Sequence, residues 1–469
     1  MKIRQRNSPQ QAPRWWLKSL VILGCSAAIF TISTRAFAAE GTDAAKAAEV
    51  GKTAIKDLPE NPGDLTLVNV ITLAAATTNV DLARLESAIA REEVGAQRTA
   101  LLPRLDAIGT LKRADDIPRF PGDTAGPIST NEGRLRLGQA IVDLNAWYAT
   151  DAARRQLEAE EAALSLATDE AMLAAARGFL NLLVTDALIL VRQQDLTLAE
   201  DLFRQATAQV DLGASDPIAA TRAASQVAAA KSALLTAEGR HQRATIDLAR
   251  LLDLRPDTDL RSSEILHDNL VPVSPFISDP SAAEEFALGN RSEMQVSSAT
   301  LAALDLAIEA ARGQGLPRLE AFGEAGYGGV WDSDDDTGWN LGLSLSIPLV
   351  NDTRYRTDQA RLRHQQQSIR KYQLELQIRS QVRNTITTIN TAGARLVAGN
   401  DRRELAQTEL AQAEARFAQG LAGNLAVVQA QRSRSAAELT YLQALSALIE
   451  ARMQFIAALG SIQALAAQP

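Results

Sequence analysis

Two proline-free stretches constrain this chain more than anything else in it: residues 128–216 and 349–468. Proline inside a helix removes a hydrogen bond and clashes with the preceding turn, so runs that exclude it can stay helical throughout. Helix from Asn145 to Leu212 is 68 residues, roughly 100 Å at 1.5 Å per residue. A helix that long cannot be the wall of a compact globule. Its apolar stripes are thin. Leu180, Leu183, Ala187 and Leu190 keep 3-4-3 spacing, and Phe417, Leu421, Leu425 and Val428 keep 4-4-3 spacing across a turn. Thin Leu/Ala stripes on polar helices suit coiled-coil packing. Aromatic residues are 4% of the chain, which favours long helices over a large aromatic core.

The chain is written twice. Leu102-Pro103-Arg104-Leu105-Asp106-Ala107-Ile108-Gly109 recurs as Leu316-Pro317-Arg318-Leu319-Glu320-Ala321-Phe322-Gly323. Further on, Gly213 matches Gly420 and Leu252 matches Leu459 at a nearly constant offset. Each unit reads as a first helix, about Leu67–Ala100 and then Ala282–Arg312, ended by Leu-Pro. Two strands, a long helix, a Gly-containing turn and a return helix follow. The expected organisation is a leader over 1–39, a flexible linker over 40–63, a first repeat over 64–260, a linker over 261–281 and a second repeat over 282–469.

The strands carry a period of two. Trp339, Leu341, Leu343, Leu345, Ile347 and Leu349 alternate with Asn340, Gly342, Ser344, Ser346 and Pro348. The run matches the 9–11 residues of a tilted membrane-barrel strand, and Trp331, Tyr327 and Trp339 stand where an aromatic girdle would lie. An ordinary half-buried hairpin has the same pattern. In the first unit Leu135, Leu137 and Ile141 alternate with Arg134, Arg136, Gly138 and Ala140. If the leucines face lipid, the arginines face a lumen.

Residues 1–39 hold six basic residues and no acidic one, then an apolar stretch from Leu17 to about Ile32 and Ala36-Phe37-Ala38. That is the order of a secretory leader cleaved near Ala38 or Ala39. Ile22-Leu23-Gly24-Cys25 offers a rival reading as a lipoprotein box, with a lipid on Cys25. Removing the leader makes the net charge of −8 more negative, against nucleic-acid wrapping. No later stretch approaches 18 unbroken apolar residues, so crossing a membrane would require a closed β-barrel. One cysteine and three scattered histidines, His241, His267 and His364, leave no framework for disulfides, a multi-His metal centre or a hydrolase triad. No nucleophile with a base and an orienting group is present, so the expectation is no enzyme and no cofactor.

The turns are specific. Gly213 can end the first long helix in the left-handed conformation. Ser215 and Asp216 are N-cap candidates before Pro217, and Asn424 is the N-cap candidate after Gly420 and Gly423.

These residues resemble the TolC-type outer-membrane efflux proteins over nearly the whole chain from Asp64 to Gln463. The duplicated Leu-Pro-Arg-Leu hairpins carry the resemblance, with Ser346-Ile347-Pro348-Leu349 and the two tips. The tips are Val210-Asp211-Leu212-Gly213 with Ala223 beyond, and Phe417-Ala418-Gln419-Gly420-Leu421 with Val427-Val428-Gln429-Ala430 beyond. The resemblance implies a mostly α fold with a small β part. Three chains would form a 12-stranded outer-membrane β-barrel above a periplasmic α-helical coiled-coil tunnel in a Gram-negative bacterium. The implied function is the exit duct of a tripartite efflux or type I secretion system. A periplasmic adaptor would dock on Asp211, Leu212, Gly213, Ala214 and Ser215 and on Gln419, Gly420, Leu421 and Ala422, with an RND or ABC pump in the inner membrane. Family members often close the tunnel with aspartates at positions that match Ala426 and Gln429, and a locking basic residue falls at Ala422. That double carboxylate ring is therefore not carried over, and closure falls to packing with Asp216, Asn424 or Gln429. Asp216 is more simply a helix cap. The alternative class is a soluble periplasmic coiled-coil scaffold or adaptor.

Asp332-Ser333-Asp334-Asp335-Asp336-Thr337-Gly338 looks like the opening of a calcium loop, but its glycine is late and Leu343 stands at the twelfth position. It reads as a solvated acidic outer loop. Gly323, Gly326, Gly328 and Gly329 open no helix and so make no nucleotide fingerprint. His364 has no partner by spacing and reads as solvent-facing.

Overall fold

In the computed structural model, residues 64–115, 127–213, 216–330, 336–419, 421 and 423–465 are described. The leader, the 40–63 linker, Cys25, Trp331 and most of the acidic loop lie outside them.

The duplication is explicit in the element order. The first unit holds β1 (Asp64–Leu65), α1 (Leu67–Ala74), α2 (Thr78–Thr99), β2 (Arg104–Asp115), β3 (Pro127–Val142), α3 (Leu144–Asp211) and α4 (Pro217–Leu251). The second repeats it with β4 (Arg261–Ser262), α5 (Pro280–Asn290), α6 (Ser292–Gly313), β5 (Arg318–Val330), β6 (Asp336–Ser346), α7 (Thr353–Ala418) and α8 (Asn424–Ala458). β1 and β4 pair in parallel, which ties the start of one repeat to the start of the other. The expected linker after Leu260 thus contains a strand.

The long helices form as the proline-free runs require. α3 has 68 residues and α7 has 66. Asp143 caps α3, its carboxylate accepting from the Ala146 N–H at 3.0 Å, and it also pairs with Arg318 at 2.9 Å. That second bond locks the start of α3 to the start of β5. In the upper half α3 packs between α2 and α6, and α6 packs on α7; below, α3 contacts α4 and α8, and α8 packs on α7.

Each expected first helix is instead two. Thr77 breaks one at ψ 160°, and Arg291 breaks the other at ψ 131°. Neither break has a proline, although Gly289 precedes the second by two residues; both are held from outside. The Thr78 N–H donates to the Asp253 carboxylate, and the Asn290 amide donates to the Gly460 carbonyl at 2.6 Å. Asp253 and Gly460 are equivalent in the two repeats, and both take the left-handed region, at φ 54° and 70°. The duplicated turn therefore fixes the duplicated break.

The cores sit midway along the helices. One gathers Val70, Ile71, Phe179, Leu182, Leu183 and Leu248 with Ile449 and Met453 of α8. The other gathers Ile378, Val382, Leu448 and Phe455 with Ala283 and Ala287 of α5. α3 contains a stretch long and apolar enough, by composition, to cross a membrane. Arg177, Asn181 and Asp186 interrupt that stretch, so it is no run of 18 unbroken apolar residues, and its Met172, Phe179, Leu180, Leu182 and Leu183 are committed to the core. The stripe reading also needs correction: Leu180 and Leu183 are buried, whereas Leu190, Leu421 and Leu425 are exposed.

Glu284, nearly buried on α5, accepts from Arg379 at 2.9 Å and from Arg383, both on α7. Those guanidinium bonds hold its carboxyl below the usual range. The folded state then binds this proton more weakly than the unfolded chain. Its stabilisation is complete above the ordinary glutamate value of ~4.3 and is lost as pH falls through the lowered one. Glu284→Gln should lower the thermal midpoint in detergent at pH 7 and flatten its fall on acidification; an unchanged acid profile would show that Glu284 does not titrate with folding.

Glycines separate packing from propensity. A Cβ on Gly313 would lie 2.7 Å from the Asn145 nitrogen, while one on Gly239 meets nothing within 4 Å. Gly239→Ala should stabilise by about 0.5–1 kcal/mol, and Gly313→Ala should destabilise, both read as thermal midpoints of the purified protein.

Candidate functional site

The sheet separates two surfaces. Its strands run antiparallel in the order β2-β3-β5-β6. Leu105 pairs with Leu137, Leu137 with Gly323, and Gly323 with Leu341, so one face collects the apolar residues. That face carries Leu105, Leu111, Leu135, Leu137, Tyr327, Trp339, Leu341, Leu343 and Leu345, all exposed. Trp339 is 82% and Leu341 78% exposed. The opposite face carries Arg104, Asp106, Arg134, Arg136, Glu320 and Glu324. Arg136 lies 3.6 Å from both Glu320 and Glu324, and Arg134 lies 2.6 Å from Glu132. These arginines thus stand opposite the leucines, as the alternation requires; Glu132 of the same strand neutralises Arg134, and the neighbouring strand β5 neutralises Arg136. Among the described residues, β2 and β6 have no strand paired to their outer edges.

At the far end of the helices are the two turns. Gly213 takes φ 69°, and its N–H donates to the Val210 carbonyl at 2.9 Å. Asp211 is exposed, and Leu212 is 83% exposed beside it. Asp216 caps α4, its carboxylate accepting from the Ile218 N–H at 2.9 Å. In the second turn Gln419 is exposed and Leu421 is 74% exposed. The Leu421 N–H donates to the Arg416 carbonyl at 2.9 Å. Ala214, Ser215, Gly420 and Ala422 fall outside the described residues. The expected cap Asn424 is corrected: Gly423 is the N-cap, and Asn424 is the first residue of α8. Gln429 is exposed on α8 beside Ala426. Behind that surface Val427 and Val428 pack with Leu202, Leu410 and Phe417.

Above the turns a belt of polar contacts joins the helices, which spacing alone did not reveal. Asp195 of α3 accepts from Arg434 and from Ser435 of α8, each at 2.7 Å. Arg403 of α7 stacks 3.9 Å above the Tyr441 ring of α8. Asp186 of α3 lies 3.1 Å from His241 of α4. Burial pushes the Asp186 carboxyl up, and His241 opposes that shift. His364, expected to face solvent alone, is instead 3.0 Å from Asp305 of α6 and partly covered. Helices crossing at these points bring together residues far apart in sequence.

Among the described residues no group of three or more His, Cys, Asp or Glu side chains is arranged to hold a metal ion.

Solved structures share this architecture. The chain superposes on CusC with a TM-score of 0.75 at 18% identity, covering 85% of this chain and 92% of that one. It matches the outer-membrane protein VceC of Vibrio cholerae with a TM-score of 0.73 at 18% identity, over 84% and 96%. It matches the open state of the Neisseria gonorrhoeae MtrE outer-membrane channel with a TM-score of 0.71 at 20% identity, over 86% and 93%. No curated protein matches the sequence significantly. The family model for outer membrane efflux proteins matches residues 72–253 and 285–461, one segment in each repeat. A duplicated helix–hairpin–long-hairpin chain matched by that model in both halves belongs to the outer membrane efflux protein family.

Proposed function

We propose that three copies of this chain form the passive exit duct of a tripartite transport system. The carrying observation is the sheet, with one face apolar and exposed, the other charged, and both outer edges open. Family membership puts the chain in the outer membrane, with its helices reaching into the periplasm. A bilayer supplies no hydrogen-bond partners to a strand edge, so the edges of β2 and β6 must be met by other strands. Three copies of a four-stranded sheet close as a 12-stranded barrel, lipid outside and the Arg136–Glu320–Glu324 ladder inside. A soluble scaffold would leave Trp339, Leu341, Leu343 and Leu345 in water, a cost with no compensating gain.

The helices support the same assembly. On α7, Tyr355, Leu362, Ile369 and Leu376 recur every seven residues and are all at least half exposed. That is a coiled-coil seam awaiting a partner helix. Leu82, Leu85 and Ile89 are exposed on α2, at the opposite edge of the chain's own helical layer. Neighbouring copies would bring the two seams together and extend the wall around a tunnel.

We assign adaptor docking to the two turns, through exposed Leu212 and Leu421 beside Gly213 and Gly420, together with Asp211, Ala214, Ser215, Gln419 and Ala422. Asp216, Asn424 and Gln429 border the narrow end. The inner-membrane pump, RND or ABC, supplies energy and sets the cargo, either small molecules in efflux or proteins in type I secretion.

Purified in mild detergent from the outer-membrane fraction, the protein should have the mass of a trimer and conduct in a planar bilayer. A silent monomer that leaves membranes without detergent would overturn the duct.

Gly213→Trp and Gly420→Trp should abolish export while the trimer stays in the membrane. Normal export by both variants would remove the docking assignment and leave the duct intact.

A further inference from the structure

The two edge helices of the chain's own helical layer carry opposite unpaired charge. On α2, Asp81 pairs with Arg84, and Arg91 pairs with Glu161 of α3. Glu86, Glu92 and Glu93 are exposed and have no cationic partner among the described residues. Over residues 353–370 of α7, Arg356 pairs with Asp352 and Arg361 with Asp358. Arg354, Arg363 and Arg370 are exposed and have no acidic partner among the described residues. Arg98, the other unpaired charge of α2, follows Ile89 by nine residues and so lies on the opposite side of the helix.

These charges flank the two apolar seams on one face of the layer. Glu86 and Glu93 stand three residues before and four after Ile89, on one side of the stripe that Ile89 makes with Leu82 and Leu85. Arg363 and Arg370 each follow a seam residue of α7, Leu362 and Ile369. One shallow groove is lined by Gln97 of α2, Ala149 and Ala152 of α3, Ala311 of α6 and Arg363 of α7. Gln97 donates to Glu93 at 2.7 Å, so glutamates and arginines share that face. Their heights match as well. α6 runs antiparallel to α7, with Arg356 donating to Gln314 at 3.2 Å and His364 lying 3.0 Å from Asp305. α2 is the equivalent of α6 in the first repeat, 214 residues earlier, as Leu102 is of Leu316. Both enter the same sheet through Leu-Pro-Arg, which sets them at one height. Rotation about a threefold axis keeps height, so the next copy's α2 meets α7 at the level where α6 does. Arg91 then stands opposite His364, as Asp305 does. Counting from there, Glu93 falls beside Arg363, Glu86 beside Arg370, Leu85 against Ile369, and Ile89 between Leu362 and Ile369, each within about one residue.

We propose that the α2 edge of one copy docks antiparallel on the α7 edge of the next, with Glu93 against the partner's Arg363 and Glu86 against the partner's Arg370. This rests on the reading of three copies as one duct and deepens it. The apolar seams drive association, and the charges choose the register, as flanking charges do in coiled coils. A slip of one heptad keeps the apolar stripes in contact. In one direction it sets Glu86 against Gln377, and in the other it sets Glu93 against Arg356, which Asp352 already holds. The docked register gives Arg363 and Arg370 the counter-ions that a single chain lacks.

The test uses the full chain purified in mild detergent. The double variants E86R/E93R and R363E/R370E each place like charges across the seam. Each should lower the temperature at which the trimer dissociates on heating, and the fourfold variant that combines them should recover most of the loss. Double variants without effect, or a fourfold variant no better than either, would overturn the pairing. Cysteines then read the register. Leu85→Cys with Ile369→Cys, oxidised with copper phenanthroline, should give a ladder of disulfide-linked dimer and trimer on a non-reducing gel. α3 and α6 separate α2 from α7 within a chain, so the link joins copies. Leu85→Cys with Leu362→Cys, about 10 Å out of register at 1.5 Å per residue, should stay unlinked. So should Leu85→Cys alone, which controls for Cys25. No ladder, or a ladder from the Leu362 pair instead, overturns the register while a conducting trimer keeps the duct. A monomeric unsubstituted protein would overturn the threefold assembly and the seam with it.

Discussion

A backbone amide inside a bilayer must find its hydrogen-bond partner in protein, since lipid offers none. The rest of this structure is arranged around that requirement. The four-stranded sheet satisfies its interior by three antiparallel pairings and leaves two outer edges that one chain cannot satisfy. Side-chain alternation then divides the surfaces. Because the period of a strand is two, a fixed register puts Leu105, Leu137 and Leu341 on one face and Arg134 and Arg136 on the other, and a one-residue slip would exchange them. The cross-strand pairs Arg136–Glu320 and Arg136–Glu324 favour the register that keeps the charges together.

Below the sheet the constraint changes. Helices satisfy their own backbones, so their length is limited only by what interrupts them. α3 and α7 run about 100 Å at 1.5 Å per residue because nothing in their sequences stops them. Such helices cannot bury much of themselves. Stability is concentrated midway, where α1 and α5 fold back over α3, α7 and α8, and fades towards the turns. There small residues and a few polar links such as Asp195–Arg434 hold the hairpins together.

Much of this was legible without coordinates. The period of two from Trp339, the absence of proline, and the repeated Leu-Pro-Arg-Leu each act locally, and each appears in the structure, although β6 ends at Ser346, short of the alternation read on to Leu349. The left-handed Gly213 and the Asp216 cap are equally local. What sequence reading missed shares one cause. The breaks at Thr77 and Arg291, the His364–Asp305 pair and the Asp195 belt all depend on groups more than fifty residues away. No window of sequence contains both partners. Asn424 was misread for a smaller reason: Gly423 takes the extended cap conformation, and the helix starts one residue earlier than a cap at Asn424 would place it.

The sequence by itself determined that there would be two copies of one unit, long uninterrupted helices, and strands with one apolar face. These follow from proline chemistry, backbone periodicity and repetition, which are properties of short segments. Only the tertiary structure decided that the four strands join in one sheet with β3 against β5, that each first helix is split, and which charges neutralise which. Those outcomes turn on how segments far apart in the chain meet, and the free energy that selects them comes from burial and pairing that exist only once they do.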